Sequence, residues 1–387
     1  MKNINNTQTP LYREAGFGFE SVEQLKQAFI SETAHPREPD AYIYSRYRNP
    51  TIVKTEEQLM KIEDCEWALL TQNGMSAIDT ALSMFQQQEK SGKWMFFSEI
   101  YGGTNSYIDR VLQYRRGINV LRYFPEEDGN FDLEKAGNMI QTHHPTLLFF
   151  EIVSNPMLSV VDAEKVINMA KSTGCRVIID NTFATPYLYK PLAAGADTVI
   201  HSATKYLAGH NNLMAGVICG NEEHLMQQAV EYRKWVGHSI SPDDACRLGT
   251  QLKTFELRMQ RHNDNAARLA KTLAAHPNVG KVLYPGLESH PTHQQAASLF
   301  KNKGFGGMIT FDLKGADDSE KQSRCAQFLD NVKDNIPLLP SLGDVQTTFL
   351  PVEPVWGDKY PFPGMIRLSV GIEPYEDIEK AVMNGVR

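Results

Sequence analysis

The sequence of 387 residues has little cysteine and no clear metal-binding pattern. Its five cysteines, at positions 65, 175, 219, 246 and 325, are far apart and form no CxxC pair. This spacing favours neither a zinc site nor a disulfide framework. His290 and His293 form an HxxH, but it lacks a third ligand and is flanked by prolines, so we expect no metal.

Basic excess and long apolar runs are also missing. The formal net charge is -7, which argues against nucleic acid as a partner. No stretch reaches the roughly 18 apolar residues of a membrane helix, and residues 1–16 contain no apolar signal core. We therefore expect a cytoplasmic protein that binds neither nucleic acid nor membranes.

The chain does contain an alternation of short apolar runs and helical patterns, starting near residue 53. The runs are WALLTQ, WMFFS, INVLRYF, TLLFFEIV, CRVIID and DTVIHS, with helical stretches such as AEKVINMAKS between several of them. Apolar strands without polar alternation, spaced by helices, are typical of a mainly parallel sheet covered on both faces. The predicted fold class is therefore α/β.

The two ends of the chain differ from this middle part. After about residue 250, the helical pattern TFELRMQRHNDNAARLAKTLAAH precedes the strand-like runs KVLY, GGMITFDL and MIRLSVGIE. This predicts a smaller α+β domain over residues 251–387, beside a large domain over residues 53–250. Residues 1–52 show little periodicity, and we expect them to form an arm that contacts a neighbouring subunit.

Several polar side chains directly follow apolar runs, namely Glu151, Asn155, Asp180 and the group from Ser202 to Lys205. Ligands bind at the carboxyl ends of parallel strands, so these residues are candidates for chemistry. Lys205 could be a solvated surface lysine and Asp180 a helix cap. A lysine that forms a Schiff base, a carboxylate for a protonated ring nitrogen and hydroxyls for a phosphate are together what pyridoxal phosphate requires.

The stretch CRVIIDNTFATPYLYKPLAAGADTVIHSATKYLAGH resembles the cysteine and methionine metabolism family of pyridoxal-phosphate enzymes. That family includes cystathionine gamma-synthase, cystathionine gamma-lyase, methionine gamma-lyase and the homoserine-ester sulfhydrylases. The resemblance runs almost end to end and includes YSRYRNPT, NGMSAI, YGGT, EIVSNP, YPGLESHPTH, SLGD and IRLSVGIE. It implies a type I aminotransferase-like fold, pyridoxal 5′-phosphate as cofactor, and a homotetramer built from dimers that share their sites.

The resemblance also implies roles for individual residues. Lys205 would hold the cofactor and move protons between substrate carbons, while Tyr101 would stack on the cofactor ring and assist catalysis. Asp180 would pair with the pyridine nitrogen, and Arg367 would bind the substrate carboxylate, a task suited to a planar, two-pronged donor. Gly74, Met75, Ser202 and Thr204 would hold the phosphate, and Tyr44 and Arg46 would complete the phosphate pocket of a neighbouring subunit. Asn155 would lie near the cofactor's phenolic oxygen and the substrate, and Ser341 would lie near the substrate.

Several positions depart from the family pattern. Asn73 replaces a serine, which matters little because backbone amides carry that contact, and Asn212 replaces an acid. Gln346 stands where cystathionine-handling members typically carry a glutamate that can meet a second amino group. Gly103 replaces the cysteine of typical methionine gamma-lyases. Gln346 and the divergent segment 349–365 are expected to border the substrate entrance.

The predicted reaction is gamma-replacement or gamma-elimination on a homoserine-derived or sulfur-containing L-amino acid, as in a cystathionine gamma-synthase or gamma-lyase. A beta-elimination enzyme and a homoserine-ester sulfhydrylase are alternatives within the same family. A more distant alternative is a non-catalytic scaffold, which the presence of both Lys205 and Asp180 disfavours. The leaving group and the nucleophile are left open.

Overall fold

The computed structural model describes residues 9–34, 41–86, 92–356 and 363–387. Its strands are β1 Trp67–Thr71, β2 Lys93–Phe97, β3 Asn119–Tyr123, β4 Leu147–Glu151, β5 Arg176–Asp180, β6 Thr198–His201, β7 Gly216–Gly220, β8 Val279–Leu283, β9 Met308–Leu313, β10 Thr348–Pro351 and β11 Ile366–Ser369. They form one seven-stranded sheet, in the order β1-β7-β6-β5-β4-β2-β3, and one four-stranded sheet, in the order β10-β11-β9-β8.

Helices surround both sheets. They are α1 Val22–Ala34, α2 Pro50–Glu63, α3 Gly74–Ser83, α4 Gly102–Tyr107, α5 Leu133–His143, α6 Ala163–Ser172, α7 Thr185–Leu188, α8 Glu223–Val236, α9 Pro242–Gln251, α10 Phe255–Ala275, α11 His293–Phe300, α12 Asp318–Val332, α13 Glu353–Trp356 and α14 Tyr375–Val386. A π-helical turn at Ile108–Gln113 and 3₁₀ turns at Pro191–Ala194 and Leu252–Thr254 complete them. Within the described ranges, no helix is both long and apolar enough to cross a membrane.

The large sheet explains why its strands read as unbroken apolar runs. On β5, Val177 and Ile179 pack into one buried cluster, while Ile178 packs into the cluster on the opposite face. Alternate residues of a strand point to opposite faces, so a strand covered on both sides must be apolar throughout. All six predicted runs form strands of this sheet, and the predicted mainly parallel α/β class is confirmed.

One strand of the large sheet was not predicted. β7, with the sequence GVICG, pairs antiparallel with both β1 and β6. Its two glycines weaken the strand pattern, but they have a packing reason. A Cβ at Gly216 would lie 2.2 Å from the Asn73 carbonyl oxygen, and one at Gly220 would lie 2.5 Å from the Trp67 ring. β7 therefore needs glycine at both ends of its pairing with β1, because a side chain at either position would collide with a neighbouring residue.

The four-stranded sheet is antiparallel. Its apolar residues form one buried cluster with residues from α10, α12 and α14. The long helix predicted from TFELRMQRHNDNAARLAKTLAAH is present as α10. β10 was not predicted, because its short run ends at Pro351 and gives little pattern. The boundaries 53–250 and 251–387 of the two predicted domains stay a prediction.

The N-terminal part contains a helix that was not predicted. α1 leaves Val22, Phe29 and Ile30 largely exposed, with 74%, 46% and 60% of their surface accessible. This pattern of exposed apolar residues is why sequence periodicity gave no clear buried face. Residues 1–8 and 35–40 of the predicted arm lie outside the described residues, and its contact with a neighbouring subunit stays a prediction.

Candidate active site

A cavity of about 400 Å³ opens at the edge of the large sheet where β4, β5 and β6 end. Its volume lies within the roughly 300–1,000 Å³ that is typical of small-molecule sites. Ten of the twelve residues that the sequence predicts for the site line this cavity: Gly74, Met75, Tyr101, Asn155, Asp180, Ser202, Thr204, Lys205, Ser341 and Arg367. The remaining two, Tyr44 and Arg46, are not among the lining residues.

Lys205 lies in the turn that follows β6, where its backbone N–H donates to the Ser202 carbonyl at 3.1 Å. Its Nζ donates to Ser341 Oγ at 2.9 Å. Burial, together with the positive charge of Arg367, lowers the pKa of the Lys205 amine to about 8. At pH 7 about one amine in ten is therefore neutral, compared with about one in three thousand for an ordinary lysine.

Gly343 allows the Ser341 loop to approach the turn that carries Lys205. Its φ is +76°, and a Cβ there would lie 2.6 Å from the Tyr206 nitrogen and 3.0 Å from the Lys205 carbonyl carbon. Both of these are backbone atoms, which cannot rotate away, and a positive φ also favours glycine. The hydrogen bond between Ser341 and Lys205 therefore depends on the glycine of the SLG sequence.

Asp180 is the last residue of β5 and is buried at the cavity wall. Its Oδ1 accepts hydrogen bonds from the Thr182 backbone N–H at 2.9 Å and from the Thr182 hydroxyl at 2.6 Å. Burial raises the pKa of the Asp180 carboxyl, whereas these bonds and nearby His201 oppose the rise. His201 is buried and hydrogen-bonded, with Nε2 2.9 Å from Glu63 Oε2.

Glu151 was noted as a strand-end residue but was not assigned to the site. It lines the cavity, is the register partner of Asp180 on β4, and accepts a hydrogen bond from the Tyr101 backbone N–H at 2.7 Å. Burial, Asp180 and Glu99 raise the pKa of the Glu151 carboxyl well above its ordinary value. Burial also raises the pKa of Glu99, which accepts a hydrogen bond from Ser154, to about 7. Buried carboxyls thus cluster at this edge of the sheet.

The opposite end of the cavity is suited to an anion. α3 begins at Gly74, and Asn73 Oδ1 accepts a hydrogen bond from the Ser76 N–H at 2.9 Å. A Cβ at Gly74 would lie 2.9 Å from Ser202 Oγ, so glycine lets the start of the helix lie against this hydroxyl. Thr204 lines the same cavity. The first N–H groups of a helix have no intrahelical acceptor, and together with hydroxyls they favour a phosphate.

Arg367 lies on β11, and its side chain joins this strand to the loop after β4 and to the loop before β10. Its Nη1 donates to Asn155 Oδ1 at 2.8 Å, and its Nη2 donates to the Ser341 carbonyl at 3.2 Å. Only 4% of its surface is exposed, and burial lowers the pKa of the guanidinium to about 10. Arg367 therefore still carries its charge at neutral pH, and it lines the cavity together with Lys205.

The Tyr101 side chain lines the cavity and is half exposed. A Cβ at Gly103 would lie 2.4 Å from Cε1 of the Tyr101 ring. Any larger residue at position 103 would therefore displace this ring or be displaced by it. The glycine that distinguishes the chain from typical methionine gamma-lyases thus has a direct effect on where Tyr101 lies.

Tyr44 and Arg46 lie on the N-terminal part of the chain. The Arg46 guanidinium lies 5.5 Å from the Tyr44 ring centroid and 5.1 Å from that of Tyr47, and Nη1 donates to the Lys234 carbonyl at 2.6 Å. Their predicted role is to complete the site of a neighbouring subunit. A single chain does not test that role, which stays a prediction.

Gln346 is exposed and does not line the cavity of its own chain, so its expected place at the border of the substrate entrance stays a prediction. Asn212 is exposed as well, and its Oδ1 accepts a hydrogen bond from Gln251 Nε2 at 2.9 Å. The divergent segment 349–365 does reach the cavity, through Leu350 and Val355. Its residues 357–362 lie outside the described residues.

Several lining residues were given no individual site role from the sequence. Glu151 was only a strand-end candidate, Leu350 and Val355 were covered only by the segment 349–365, and the residues not singled out at all include Val153, Thr182, Phe183, Met214, Pro340 and Leu342. Glu151 and Thr182 had a usable signal, because each lies at or just after the end of an apolar run. The apolar members had none. An apolar residue next to a cavity and one inside the core have the same sequence pattern.

The fold and the cavity, with its lysine, carboxyl and anion site, define a class of cofactor-dependent α/β enzymes. The chain belongs to the Cys/Met metabolism PLP-dependent enzyme family, whose family model matches residues 1–387. It is therefore an enzyme of cysteine and methionine metabolism that depends on pyridoxal phosphate, and the cofactor predicted from the sequence is confirmed.

Individual relatives differ in their reactions. The chain is 36% identical to an L-methionine gamma-lyase of Fusobacterium nucleatum subsp. polymorphum, over 98% of this chain and 93% of that one. It is 34% identical to a cystathionine beta-lyase of Lactococcus lactis subsp. cremoris, over 88% and 87% of the two chains. A crystal structure of cystathionine gamma synthase from Xanthomonas oryzae pv. oryzae matches with a TM-score of 0.85 and 28% identity, over 98% and 92%. The family is thus established, and the relatives span gamma and beta chemistry.

Proposed function

We propose that this enzyme catalyses gamma-elimination or gamma-replacement on a sulfur-containing or homoserine-derived L-amino acid. The observation that carries the proposal is that one cavity combines Lys205, whose pKa is lowered, with buried Asp180 and the charged side chain of Arg367. These groups fit a cofactor with an aldehyde and a ring nitrogen, and a substrate with a carboxylate. The gamma-lyase relative supports the position of bond cleavage.

The residues of the cavity fit pyridoxal phosphate from one end to the other. The N–H groups of Gly74 and Met75 and the hydroxyls of Ser202 and Thr204 would hold the phosphate. Both hydrogen bonds from Thr182 go to Oδ1 of Asp180 and hold the carboxylate in place, and this carboxylate would pair with the ring nitrogen. Tyr101 would lie on the ring, and Asn155 near its phenolic oxygen. Bound pyridoxal phosphate supplies an electron-withdrawing ring that stabilises negative charge on substrate carbons.

In this proposal Lys205 first attaches the cofactor and then acts as the mobile base. Its Nζ would take a proton from the α carbon of the substrate, release that proton, and then take one from the β carbon. The electron pair left on the β carbon would form the β–γ double bond as the γ substituent leaves with the electrons of its own bond to the γ carbon. A base whose pKa lies near the working pH is efficient in both directions of proton transfer, and about 8 meets this condition. Ser341 Oγ accepts the hydrogen bond that holds Nζ in place.

Arg367 would orient the substrate by binding its α-carboxylate. Nη1 is held by Asn155 and Nη2 by the Ser341 carbonyl, so the planar guanidinium is fixed before a substrate arrives. A fixed, two-pronged donor binds a carboxylate with defined geometry. Arg367 and Lys205 both line the cavity, so a bound carboxylate would keep the α carbon near Nζ.

We also propose that the enzyme is a homotetramer of dimers, in which Tyr44 and Arg46 complete the phosphate pocket of a neighbouring subunit. Large apolar side chains remain exposed near this arm, including Val22, Ile30 and Trp235 at 74%, 60% and 66%. Such exposure supports an interface between subunits. Light scattering of the purified protein measures the assembly, and a monomer with full activity would contradict the shared site.

Product analysis tests the proposed reaction. Purified enzyme with pyridoxal phosphate is incubated separately with L-methionine, L-cystathionine, O-acetyl-L-homoserine and L-cysteine, with and without a thiol. Elimination at the γ carbon releases 2-oxobutyrate and ammonia, elimination at the β carbon of cystathionine or cysteine releases pyruvate, and replacement gives a new thioether. Pyruvate alone across the panel would identify a beta-lyase instead. A protein that binds the cofactor but turns over none of these compounds would be a scaffold.

A further inference from the structure

The cavity wall contributed by the C-terminal part of the chain is mostly apolar. Among the described residues this wall consists of Pro340, Ser341, Leu342, Leu350, Val355 and Arg367. It therefore holds one cation, one hydroxyl and four apolar side chains, and no carboxylate. If Arg367 binds the substrate carboxylate, the rest of this wall is left for the substrate side chain.

The geometry of the small sheet brings one apolar residue directly next to Arg367. Leu350 on β10 is the register partner of Arg367 on β11 in an antiparallel pair. Residues directly opposite in such a pair point to the same face, with their Cβ atoms roughly 4.5–5.5 Å apart. A substrate held by Arg367 therefore lies beside Leu350.

The apolar wall continues outward from this position. Leu342 and Leu350 are buried, with 6% and 7% of their surface exposed, whereas Val355 on the short helix α13 is 51% exposed. We call these three residues the apolar wall. Val355 is the exposed member of this wall and Leu342 and Leu350 are its buried members, so all three present apolar surface to whatever occupies this side of the cavity.

The described carboxylates on the segments around the apolar wall do not line the cavity, and these include Asp344, whose Oδ1 accepts a hydrogen bond from the Gln346 N–H at 3.5 Å. Glu353 Oε1 accepts a hydrogen bond from Gln322 Nε2 at 2.8 Å. Glu373 accepts hydrogen bonds from the Thr347 backbone N–H at 2.5 Å and hydroxyl at 3.0 Å. Neither glutamate lines the cavity. Among the described residues that the C-terminal part contributes to the cavity, none is acidic, so none can pair with a second amino group of a substrate.

We propose that the apolar wall makes the enzyme selective for amino acids whose group beyond the γ heteroatom is short and uncharged, such as a thioether methyl or a neutral ester. This inference rests on the proposed function. A substrate with a second amino-acid head, such as cystathionine, would place an ammonium and a carboxylate near the side chains of Leu342, Leu350 and Val355, none of which can pair with a charge. Desolvation without a partner opposes such binding.

Binding of unreactive amino acids tests the selectivity without any turnover. L-Norleucine, L-lysine and L-2-aminoadipate have side chains of similar length that end in a methyl, an ammonium and a carboxylate. Each is titrated into the holoenzyme, and the change in the visible absorbance of the cofactor gives Kd. We expect norleucine to bind at least about tenfold more tightly than either charged analogue. Equal or tighter binding of lysine or 2-aminoadipate would overturn the inference.

A pair of variants at the mouth of the cavity tests the residues themselves. Val355→Glu introduces a carboxylate, and Val355→Gln is the matched neutral control; both are tolerable at a half-exposed position. Relative to Val355→Gln, Val355→Glu should raise the kcat/KM of cystathionine over that of methionine by about tenfold, through pairing with the second amino group. An unchanged ratio would show that Val355 does not face the substrate side chain.

The two proposals fail in different ways. If methionine and cystathionine both release 2-oxobutyrate but cystathionine has the higher kcat/KM in the wild-type enzyme, the selectivity is wrong and the proposed reaction stands. If none of the substrates gives product, the proposed reaction is wrong. The norleucine titration then still decides the selectivity, because it needs only the bound cofactor.

Discussion

The two walls of the cavity come from different sheets and differ in chemistry. The wall built by the large sheet carries the polar or ionisable side chains of Asp180, Glu151, Ser202, Thr204 and Lys205, together with apolar residues such as Val153, Phe183 and Met214. The wall built by the C-terminal part has a single charge, Arg367, and is otherwise mostly apolar. The first wall fits what all members of the family bind, which is the cofactor. We assign the second to what differs between members, which is the substrate.

This difference also appears in the strength of the sequence signals. The polar wall lies in stretches that match the family almost without a break, such as NTFATP and HSATKY. The other wall includes the segment 349–365, which departs from it. A shared cofactor constrains the first wall in the same way in every member, whereas the second can vary with the substrate. Substitutions in the two walls should therefore give different kinds of defect.

The largest effect is expected for Lys205→Ala on the polar wall. Loss of the base and of the attachment point should lower kcat by about 10³-fold or more. The visible absorbance of the attached cofactor should disappear as well, while the circular dichroism of the backbone stays unchanged. Retention of both the absorbance and the activity would show that Lys205 is not the attachment point.

A smaller and different effect is expected for Arg367→Gln on the other wall. Removal of a charged donor to the substrate carboxylate should weaken binding by roughly 10- to 100-fold, seen mainly as a higher KM. The cofactor absorbance should be retained, because Arg367 is assigned to the substrate. Steady-state kinetics measure the change in substrate binding, and a cofactor titration measures whether the cofactor is retained. A lost cofactor with an unchanged KM would assign Arg367 to the polar wall instead.

The pH dependence of cofactor attachment reports how the two walls interact. Only the neutral Lys205 amine can attack an aldehyde, and its pKa of about 8 lies below that of an ordinary lysine. The attachment rate of the cofactor-free protein should therefore rise about tenfold per pH unit below pH 8 and level off above it. In Arg367→Gln the midpoint should move to higher pH, because the like charge is gone. A midpoint near that of free lysine in the wild type would contradict the burial effect.

The smallest effect is expected for Gln346→Glu. The position is exposed and does not line the cavity of its own chain, so the new carboxylate should change kcat/KM for cystathionine by less than about twofold. Val355→Glu adds the same charge on the wall and is the direct comparison. A large gain in Gln346→Glu would mean that the site of a neighbouring subunit, or a moved loop, brings position 346 to the substrate.

Much of the large sheet and of the polar wall could be predicted from the sequence. The run RVIID ends in a carboxylate because β5 is covered on both faces until it reaches the cavity, and this change from apolar to polar is visible without a structure. β7 and β10 were missed because glycines and a proline hide a strand pattern that only neighbouring strands justify. α1 was missed because several of its apolar side chains are exposed.

The sequence by itself determined the α/β class and the cofactor, and it singled out polar residues that line one cavity, because a cofactor with a phosphate, a ring nitrogen and an aldehyde needs specific polar groups at strand ends. Only the tertiary structure decided which apolar residues reach the cavity. Leu350 lies beside Arg367 because β10 and β11 pair in one register, and Gln346 lies outside the cavity because its loop is held elsewhere. Such distances depend on packing between distant segments, and no local pattern of residues records them.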